Sequence, residues 1–245
     1  MISAHRSIRV DCGKAQETDD AIVVEDRFEL LLNDKPVTEM VASRDQLREL
    51  GAGYLVSEGI LRCIDTVKVE GDRILVWSDT GCDLRWTKRE TGSSGGLSFV
   101  TTPGKVVSDI RLSPDEVIAV TKEIETDLWR KTGGVHCSVL FQDGRLIAKS
   151  SDVGRHNTVD KLVGFAVLNG IDLSRCVIGC TGRQPAGMVR KSAHAGIPVI
   201  VSRAASTDKG IAAAESAGIT LIGFSRGDRF TIYTHPERIA GIRFS

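Results

Sequence analysis

The densest group of polar residues in the sequence lies in SSDVGRHNTVDKLVG, residues 150–164. It contains side chains that bind anions or transfer protons: Asp152, Arg155, His156 and Asn157. The group falls between a predicted strand and a predicted helix, where the first helical turn offers free N–H groups and the positive end of the helix dipole. A guanidinium could fork onto a phosphate there, and an imidazole could move a proton. An anion site is therefore one interpretation, and a capped turn with solvated charges is the other.

Two further turns place an arginine after a strand. Arg183 follows the apolar run CVIGC through Thr181 and Gly182, and Arg203 follows IPVIVS. Ligands of open α/β sheets bind at the carboxyl edge of the strands. If these strands are parallel neighbours, Arg155, Arg183 and Arg203 line one crevice. The glycine patterns of Walker loops and of dinucleotide-binding loops are absent from the sequence.

Support for nucleophilic catalysis is weak. The six cysteines include no C-x-x-C pair. His136 and Cys137 are adjacent on a predicted strand and so face opposite ways, which disfavours a dyad. His136 could be a packed core histidine or a ligand. The zinc deaminase signature is also missing. Reduced, mostly buried thiols of a cytoplasmic protein are the simplest interpretation.

Composition sets wider limits on function. The chain has 245 residues, 41% hydrophobic and 26% charged, with a formal net charge of zero, as is typical of a globular protein. Nothing in the overall charge favours nucleic acid or an anionic membrane as a partner. The first residues lack the apolar core of a signal peptide. No apolar run reaches the roughly 18 residues that a membrane helix needs, and we expect a cytoplasmic protein.

The first hundred residues are predicted to be rich in strands. SIRVDC, AIVVED, FELLLN and PVTEMVA are short β-type runs, and DTVKVE and RILVWS flank a turn at Gly71-Asp72. One helix interrupts them, with Ser43 as its predicted N-cap and Gly59 near its end. Residues 89–105 show no periodicity and contain GSSGGLS, residues 92–98. We therefore predict a β-rich N-terminal domain over 1–104, with a flexible loop at its end, and a second domain over 105–245.

The second half alternates strands and helices. Ser113, Pro114 and Glu116 predict a capping box that opens a helix whose apolar stripe extends to Leu128. A hairpin around Asp143-Gly144 follows, then helices over about 157–169, 185–195 and 207–217 separated by continuous apolar strands. Such strands between amphipathic helices predict an α/β domain whose sheet is covered on both faces, within an overall α+β chain.

Several segments together resemble the FdhD family of formate dehydrogenase accessory proteins. They are FELLLNDKPV, LGAGYLVSEGIL, TGGVHCSVL, SDVGRHNTVDKLVG, TGRQPAGMVRKSAHAGIPVIVSRAAST and GITLIGFSRGDRFTIYTHPERI. They occur in the family's order over about 20–240, and GRHN-x-x-DK is highly specific among them. The resemblance implies a cytidine-deaminase-like three-layer α/β fold without zinc for the C-terminal domain.

The resemblance also implies a function. Members of this family take sulfur as a persulfide from a cysteine desulfurase and pass it to the molybdenum of bis-molybdopterin guanine dinucleotide, which then enters formate dehydrogenase. The client would be a molybdenum or tungsten enzyme, GDP would mimic the cofactor, and the protein would be a homodimer. The family's cofactor-binding segment resembles FTIYTH here, which comprises Phe230, Thr231, Ile232, Tyr233, Thr234 and His235.

One segment departs from the family pattern. Where members carry a loop similar to S-S-C-G-x-C-G, whose cysteines hold the persulfide, this sequence has Gly95 and Ser98. Neither residue can form a persulfide. Three accounts follow: the chain binds and delivers cofactor without sulfurating it; another thiol, Cys137 or Cys180, has taken the role; or the fold serves as a guanine-nucleotide-sensing regulatory or scaffold module.

Overall fold

The N-terminal part of the chain contains a two-stranded ribbon and a separate four-stranded sheet. In the computed structural model, residues 2–79, 89–91, 97–99 and 102–242 are described, the side chains only in 2–79 and 102–242. Strands β1 (Ile2–Asp11) and β2 (Lys14–Val23) form a two-stranded ribbon. Strands β3 (Asp26–Leu32), β4 (Lys35–Ala42), β5 (Thr66–Glu70) and β6 (Arg73–Trp77) form a four-stranded sheet in the order β4-β3-β6-β5. The predicted strands at SIRVDC, FELLLN, PVTEMVA, DTVKVE and RILVWS and the turn at Gly71-Asp72 are confirmed. The run AIVVED is not a single strand, because β2 ends at Val23 and β3 begins at Asp26.

The helix of this part, α1, spans Leu47–Ser57. The prediction that Ser43 caps it is wrong. Gln46 occupies the cap position in a left-handed conformation, and its side chain makes no capping hydrogen bond. The Ser43 backbone N–H instead donates to the Asp152 carboxylate at 3.1 Å. The residue that resembles a cap thus contacts the C-terminal half of the chain, and Gly59 follows the helix as predicted, with φ of 70°.

The predicted capping box is confirmed at α2 (Pro114–Glu123). The Ser113 hydroxyl accepts from the Glu116 N–H, and the Glu116 carboxylate accepts from the Ser113 N–H. The predicted single helix through Leu128 is wrong, since three residues separate α2 from a second helix, α3 (Asp127–Thr132). The Thr126 hydroxyl accepts from the Trp129 N–H and restarts the helix in a new direction.

The C-terminal part contains a six-stranded sheet. Its strands are β9 (His136–Gln142), β10 (Arg145–Asp152), β11 (Cys176–Cys180), β12 (Val199–Ser202), β13 (Thr220–Arg226) and β14 (Arg229–Ile232), in the order β10-β9-β11-β12-β13-β14. Strands β11, β12 and β13 are parallel, and the outer pairs are antiparallel. Helices α4 (Arg155–Leu168), α5 (Ala186–His194) and α6 (Asp208–Ala217) connect them.

Alternate residues of these strands are buried in two separate cores. Ile178 and Ile200 pack with α4, α5 and α6 on one face, and Val177 and Val199 pack with α2 on the other. Each central strand is therefore apolar on both faces, which explains its continuous apolar sequence. The predicted three-layer α/β arrangement is confirmed.

The two parts of the chain meet where α1 crosses α4. Gly53 and Gly164 lie at the crossing, and a Cβ built on Gly53 would stand only 1.7 Å from the Asp160 carbonyl oxygen. Buried charges tie the same helices to α5, because Lys191 forms ion pairs with Glu58 and Asp160. The predicted boundary at 104/105 stays a prediction, since most of 80–101 lies outside the described residues. Within that segment β7 (Arg89–Thr91) pairs with β8 (Leu97–Phe99).

Candidate functional site

The carboxyl edge of the six-stranded sheet brings several of the predicted site residues together. Cys180 pairs with Ser202 in register, and Val201 pairs with Ile222, so the turns after β11, β12 and β13 lie side by side. The strands that precede Arg183 and Arg203 are therefore parallel neighbours, as the prediction that these arginines share one edge requires. Strand β10 runs in the same direction but is separated from β11 by β9, and it delivers Arg155 to the same edge.

A crevice of about 460 Å³ opens at this edge. Its lining includes Glu125, Trp129, His136, Thr181, Arg203 and Arg226. Its volume lies within the range typical of small-molecule sites. The crevice is thus placed where ligands bind in open α/β sheets.

Arg155 and Arg183 carry the clearest electrostatic signal. The Arg155 side chain packs against Gly182. A Cβ built on Gly182 would stand 3.1 Å from the Arg155 Cβ and 3.1 Å from the Arg155 Cδ. Burial lowers the pKa of Arg155, and the positive charge of Arg183 lowers it further. Two guanidinium groups that repel each other in a partly desolvated site create a strong positive potential. This arrangement favours an anionic ligand.

The two histidines of the site are neutral near pH 7. Burial lowers the pKa of His136, and Arg155 and Arg183 lower it further; its Nδ1 lies 3.3 Å from the Thr181 hydroxyl oxygen. Burial, then the charge of Lys191, lowers the pKa of His156 to about 3. His156 therefore does not supply a proton as an imidazolium at neutral pH, and the neutral ring of His136, which lines the crevice, can exchange hydrogen bonds with a ligand.

Arg226, Glu125 of the α2–α3 connection and Trp129 of α3 were not predicted as site residues from the sequence. Arg226 ends β13, and its Nε donates to the Arg203 carbonyl oxygen at 3.1 Å. The rule that identified Arg183 and Arg203, an arginine directly after a parallel strand, could have found it. Glu125 forms an ion pair with Arg203, and Trp129 lines the crevice beside it. Both face the crevice only because the predicted long helix breaks between them.

The carboxylate of Asp152 is used for internal contacts. The side chain is fully buried, and Oδ2 lies 2.7 Å from the Lys161 Nζ. Its Oδ1 accepts from the Gly154 N–H and from the Asn157 Nδ2 at 2.9 and 2.8 Å. Asn157 Nδ2 also donates to the Val41 carbonyl oxygen at 2.8 Å. The proposed ligand role of Asp152 and Asn157 stays a prediction, while these contacts support a structural one.

The segment 230–235 runs away from the crevice. Phe230 and Ile232 pack in the core beneath α2, and Thr231 is exposed. The Thr234 hydroxyl donates to the Ile219 carbonyl oxygen at 2.7 Å, and His235 Nε2 lies 3.0 Å from the Glu215 carbonyl oxygen near the end of α6. Ile219 and Glu215 lie at the amino edge of the sheet, opposite the crevice.

Tyr233 is the member of this segment that points back toward the carboxyl edge. Its Cε2 lies 2.8 Å from where a Cβ of Gly223 would be, and the Ala204 carbonyl oxygen lies 3.2 Å from the same point. Ala204 lines the crevice. The structure thus brings Arg155, Arg183 and His136 together and places Tyr233 near the other end of the crevice. The cofactor-binding role of residues 230–235 as a group stays a prediction.

The two thiols considered as replacements for the missing cysteines are buried. Cys137 has no exposed surface, and Cys180 is 2% exposed. Burial raises the pKa of Cys180 to about 12, and the Gln184 amide donates to its sulfur at 3.0 Å. Cys12 and Cys63 are exposed. Gly95 lies outside the described residues, as does the side chain of Ser98.

We expect Cys137 and Cys180 to accept no sulfur from a cysteine desulfurase in the folded protein. Cys137 has no exposed surface for a donor to reach. The Cys180 thiol, whose pKa burial raises to about 12, is almost wholly protonated at neutral pH, and the thiolate is the nucleophile. The measurement is peptide mass after incubation with desulfurase and cysteine, with and without reductant. Alkylation of exposed Cys12 under native conditions is the positive control. A reductant-sensitive gain of one sulfur on the Cys180 peptide would contradict the expectation.

Within the described ranges, no helix has both the length and the apolar character needed to cross a membrane. Among these same residues, no three His, Cys, Asp or Glu side chains come together in a group that could hold a metal ion.

Comparisons with known proteins match almost the whole chain. The model of the FdhD/NarQ family matches residues 23–240. A protein of Bacillus subtilis named sulfur carrier protein FdhD is 33% identical over 258 residues, which cover 97% of this chain and 98% of the relative. A protein of the same name from Thermoplasma volcanium is 34% identical over 268 residues, covering 97% and 96%.

The fold agrees with a solved structure as well. A crystal structure from Desulfotalea psychrophila, described as that of a formate dehydrogenase accessory protein, matches with a TM-score of 0.83 at 29% identity. The match covers 97% of this chain and 99% of that one. This chain therefore belongs to the FdhD/NarQ family.

Proposed function

We propose that this protein is a cytoplasmic accessory factor of a formate dehydrogenase. In this role it binds bis-molybdopterin guanine dinucleotide as its cargo and supports the sulfuration of that cofactor or its delivery to the dehydrogenase. The names of the relatives, sulfur carrier protein and formate dehydrogenase accessory protein, support the proposal. Its partners are the dehydrogenase apoprotein, a cysteine desulfurase and a second copy of the chain.

The observation that carries the binding step is the pair Arg155 and Arg183 at the carboxyl edge of the sheet. Each guanidinium can form two parallel hydrogen bonds to a phosphate, and their mutual repulsion is relieved when an anion binds between them. Arg203 and Arg226 extend the positive surface along the crevice. Because Glu125 forms an ion pair with Arg203, Arg226 supplies the further uncompensated charge of the crevice. A ligand with more than one phosphate, such as a dinucleotide, can place one phosphate at Arg155 and Arg183 and another toward Arg226.

The crevice also offers groups for the uncharged parts of the cargo. Trp129 presents an aromatic ring for stacking against a flat heterocycle. The neutral ring of His136 and the Thr181 hydroxyl both line the crevice and lie 3.3 Å apart, where they can exchange hydrogen bonds with the cargo. In this proposal Tyr233 is the residue of the segment 230–235 that contributes to the binding surface, while Thr234 and His235 hold the sheet.

The sulfur step is the part of the family activity that this sequence supports least. The stretch GSSGGLS contains no thiol, and both Cys137 and Cys180 are buried. We therefore propose binding and delivery as the principal role. The alternative, a guanine-nucleotide-binding regulatory or scaffold module, would use the same crevice. The two separate in a reconstitution assay, because only the accessory factor raises the activity of a formate dehydrogenase matured in its presence.

The test of the binding step is an equilibrium titration with GDP, the mimic of the guanine dinucleotide. We expect Arg155→Ala and Arg183→Ala each to weaken GDP binding by about tenfold or more, because one charge-assisted hydrogen bond contributes about 1.5–3 kcal/mol. Arg175→Ala is the matched control, since Arg175 is an exposed arginine at the amino edge that pairs with Asp143 at 2.8 Å. An affinity that Arg155→Ala and Arg183→Ala both leave unchanged would remove this pair from the site.

A further inference from the structure

The crevice at the carboxyl edge of the sheet contains a carboxylate beside its cationic groups. Glu125 lines it together with Arg203 and Arg226. A carboxylate repels the phosphates that the arginines attract, so it weakens the binding of a ligand that offers phosphate alone. It strengthens the binding of a ligand that also brings hydrogen-bond donors, because an ionised carboxylate only accepts. Glu125 therefore indicates that part of the ligand is rich in donors.

The Glu125 carboxylate is held in position by its neighbours. Its Oε1 forms an ion pair with Arg203 Nη1, and the two side chains are only 22% and 32% exposed. A carboxylate can accept about four hydrogen bonds, so this pair leaves positions for a ligand. The next residue, Thr126, anchors the chain to β10, because its hydroxyl lies 2.7 Å from the Ser151 hydroxyl. The carboxylate is thus fixed before a ligand arrives, which lowers the cost of binding.

An aromatic ring lies in the same crevice. Trp129 lines it four residues after Glu125, and the Trp129 backbone N–H donates to the Thr126 hydroxyl at 3.3 Å. The anchor at Thr126 therefore fixes the chain on both sides, at the carboxylate and at the ring. Proteins that bind an unpaired base read its Watson–Crick edge by hydrogen bonds and stack its ring on aromatic side chains. A flat heterocycle with donors along one edge fits this combination.

The donor pattern selects the kind of heterocycle. A carboxylate can accept two parallel hydrogen bonds from neighbouring donors, as it does from a guanidinium. A 2-amino-oxopyrimidine ring offers such a pair, which consists of a ring N–H beside an exocyclic amino group. Guanine contains this ring, and so does a pterin, whereas adenine has an acceptor nitrogen in place of the ring N–H. The carboxylate therefore favours guanine or pterin over adenine.

We propose that Glu125 is a specificity-determining residue that accepts from the ring N–H and the amino group of a 2-amino-oxopyrimidine, while Trp129 stacks on the ring. This inference rests on the proposed function and adds the residue that distinguishes its cargo from other nucleotides. Arg203 is a positioning residue, since it holds the carboxylate. The phosphates lie away from Glu125, at Arg155 and Arg183.

The experiment compares two pairs of ligands that differ only at the amino group. Xanthosine diphosphate and 6-hydroxymethyllumazine carry an oxygen where GDP and 6-hydroxymethylpterin carry this amino group. We expect the wild-type protein to bind a 2-amino ligand at least about tenfold more tightly than its 2-oxo counterpart, because the oxygen would face the carboxylate with no proton between them. Discrimination between the two nucleotides assigns guanine to the site, and discrimination confined to the other pair assigns the pterin.

Glu125→Gln tests the carboxylate itself. The amide oxygen still accepts from the ring N–H, while the amide N–H now donates to a 2-oxo group. We expect the ratio of 2-amino to 2-oxo affinity to fall at least about tenfold. A defect in folding would lower the affinity for both members of a pair alike and would leave this ratio unchanged. Pyrophosphate binding should not weaken, because the variant removes a negative charge from the crevice.

Glu123→Gln is the matched control for this variant. It makes the same change two residues away, on a carboxylate that pairs with Lys149 at 2.6 Å and is 46% exposed on the surface. We expect this control to keep both wild-type affinity ratios. A ratio that falls equally in Glu123→Gln and Glu125→Gln would show that the effect does not come from the crevice, and would overturn the inference.

Two further results would overturn the inference. The first is a wild-type protein that binds both members of each ligand pair equally, a result that does not depend on any variant. The second is a Glu125→Gln variant that keeps the wild-type ratios and binds pyrophosphate more tightly, since Glu125 would then only compete with phosphate for Arg203. A protein that binds no GDP would contradict the proposed binding step, whereas GDP binding without preference in either pair would overturn this inference alone.

Discussion

Replacing Lys191 with methionine is expected to lower the free energy of unfolding by about 3–5 kcal/mol, because it leaves buried carboxylates without their cation. Lys191 Nζ lies 2.6 Å from Glu58 Oε1 and 2.9 Å from Asp160 Oδ1, and both carboxylates are at most 4% exposed. Burial alone would lower the pKa of Lys191, but Asp160 and Glu58 reverse this and raise it. The ammonium group is therefore charged in the folded protein and holds α1, α4 and α5 together.

Urea unfolding of Lys191→Met beside Lys149→Met measures this effect. Lys149 forms an ion pair with Glu123 on the surface, where the two side chains are 36% and 46% exposed. Such a pair contributes about 0–1 kcal/mol, so its loss controls for removing a lysine charge. Since domains are stable by about 5–15 kcal/mol, the Lys191 variant loses a large share of its stability. Equal midpoints for the two variants would show that the buried cluster does not hold the fold.

Gly53→Ala is expected to be the most damaging single-methyl addition among these helices. A Cβ at position 53 would stand 1.7 Å from the Asp160 carbonyl oxygen and 2.6 Å from the Gly164 nitrogen. These atoms belong to the backbone of α4, which cannot move as a flexible side chain does, so α1 and α4 must separate. Overpacking costs typically 1–3 kcal/mol, and the cost here lies at or above the upper end because the separation also opens the Lys191 cluster.

Gly187→Ala is the matched control for this prediction. Gly187 lies in α5, and a Cβ there would meet only the His156 Nε2, at 3.8 Å. Alanine favours a helix over glycine by about 1 kcal/mol, so the control variant should unfold at the same or higher denaturant concentration than the wild type. Thermal or urea unfolding compares the two. A Gly53→Ala variant as stable as Gly187→Ala would mean that the helices do not cross at the observed distance.

Local signals in the sequence predicted most of the elements correctly. The capping box at Ser113, the hairpin turn at Asp143-Gly144 and the glycines after α1 and α6 depend on neighbouring residues only, and the structure confirms them. The prediction at Ser43 is wrong because it depends on a distant residue. Its N–H is bound by Asp152, which lies 109 residues away, and no local pattern contains that partner.

The candidate site shows the same difference between residues that a local pattern can place and residues that only distant contacts can place. The rule that arginines after parallel strands meet at one edge placed Arg183 and Arg203 after neighbouring parallel strands, as the structure does, and could have added Arg226. The crevice lining contains Arg203 and Arg226 but neither Arg155 nor Arg183, so the prediction that three arginines line one crevice stays a prediction. The same reasoning could not separate Arg155, which reaches the edge, from Asp152 and Asn157, whose side chains contact β4 and the turn that precedes α1. Polar residues that are neighbours in sequence can contact different parts of the fold, and only the tertiary structure shows which part each one contacts.

The central claim is that the carboxyl-edge crevice binds the phosphates of a guanine dinucleotide. The most direct measurement is a calorimetric titration of the wild-type protein, its cysteines alkylated, with GDP and separately with guanosine. We expect saturable GDP binding and at least about tenfold weaker binding of guanosine, because guanosine lacks the phosphates that the guanidinium groups contact. Absence of saturable GDP binding, or equal affinity for guanosine, would contradict it.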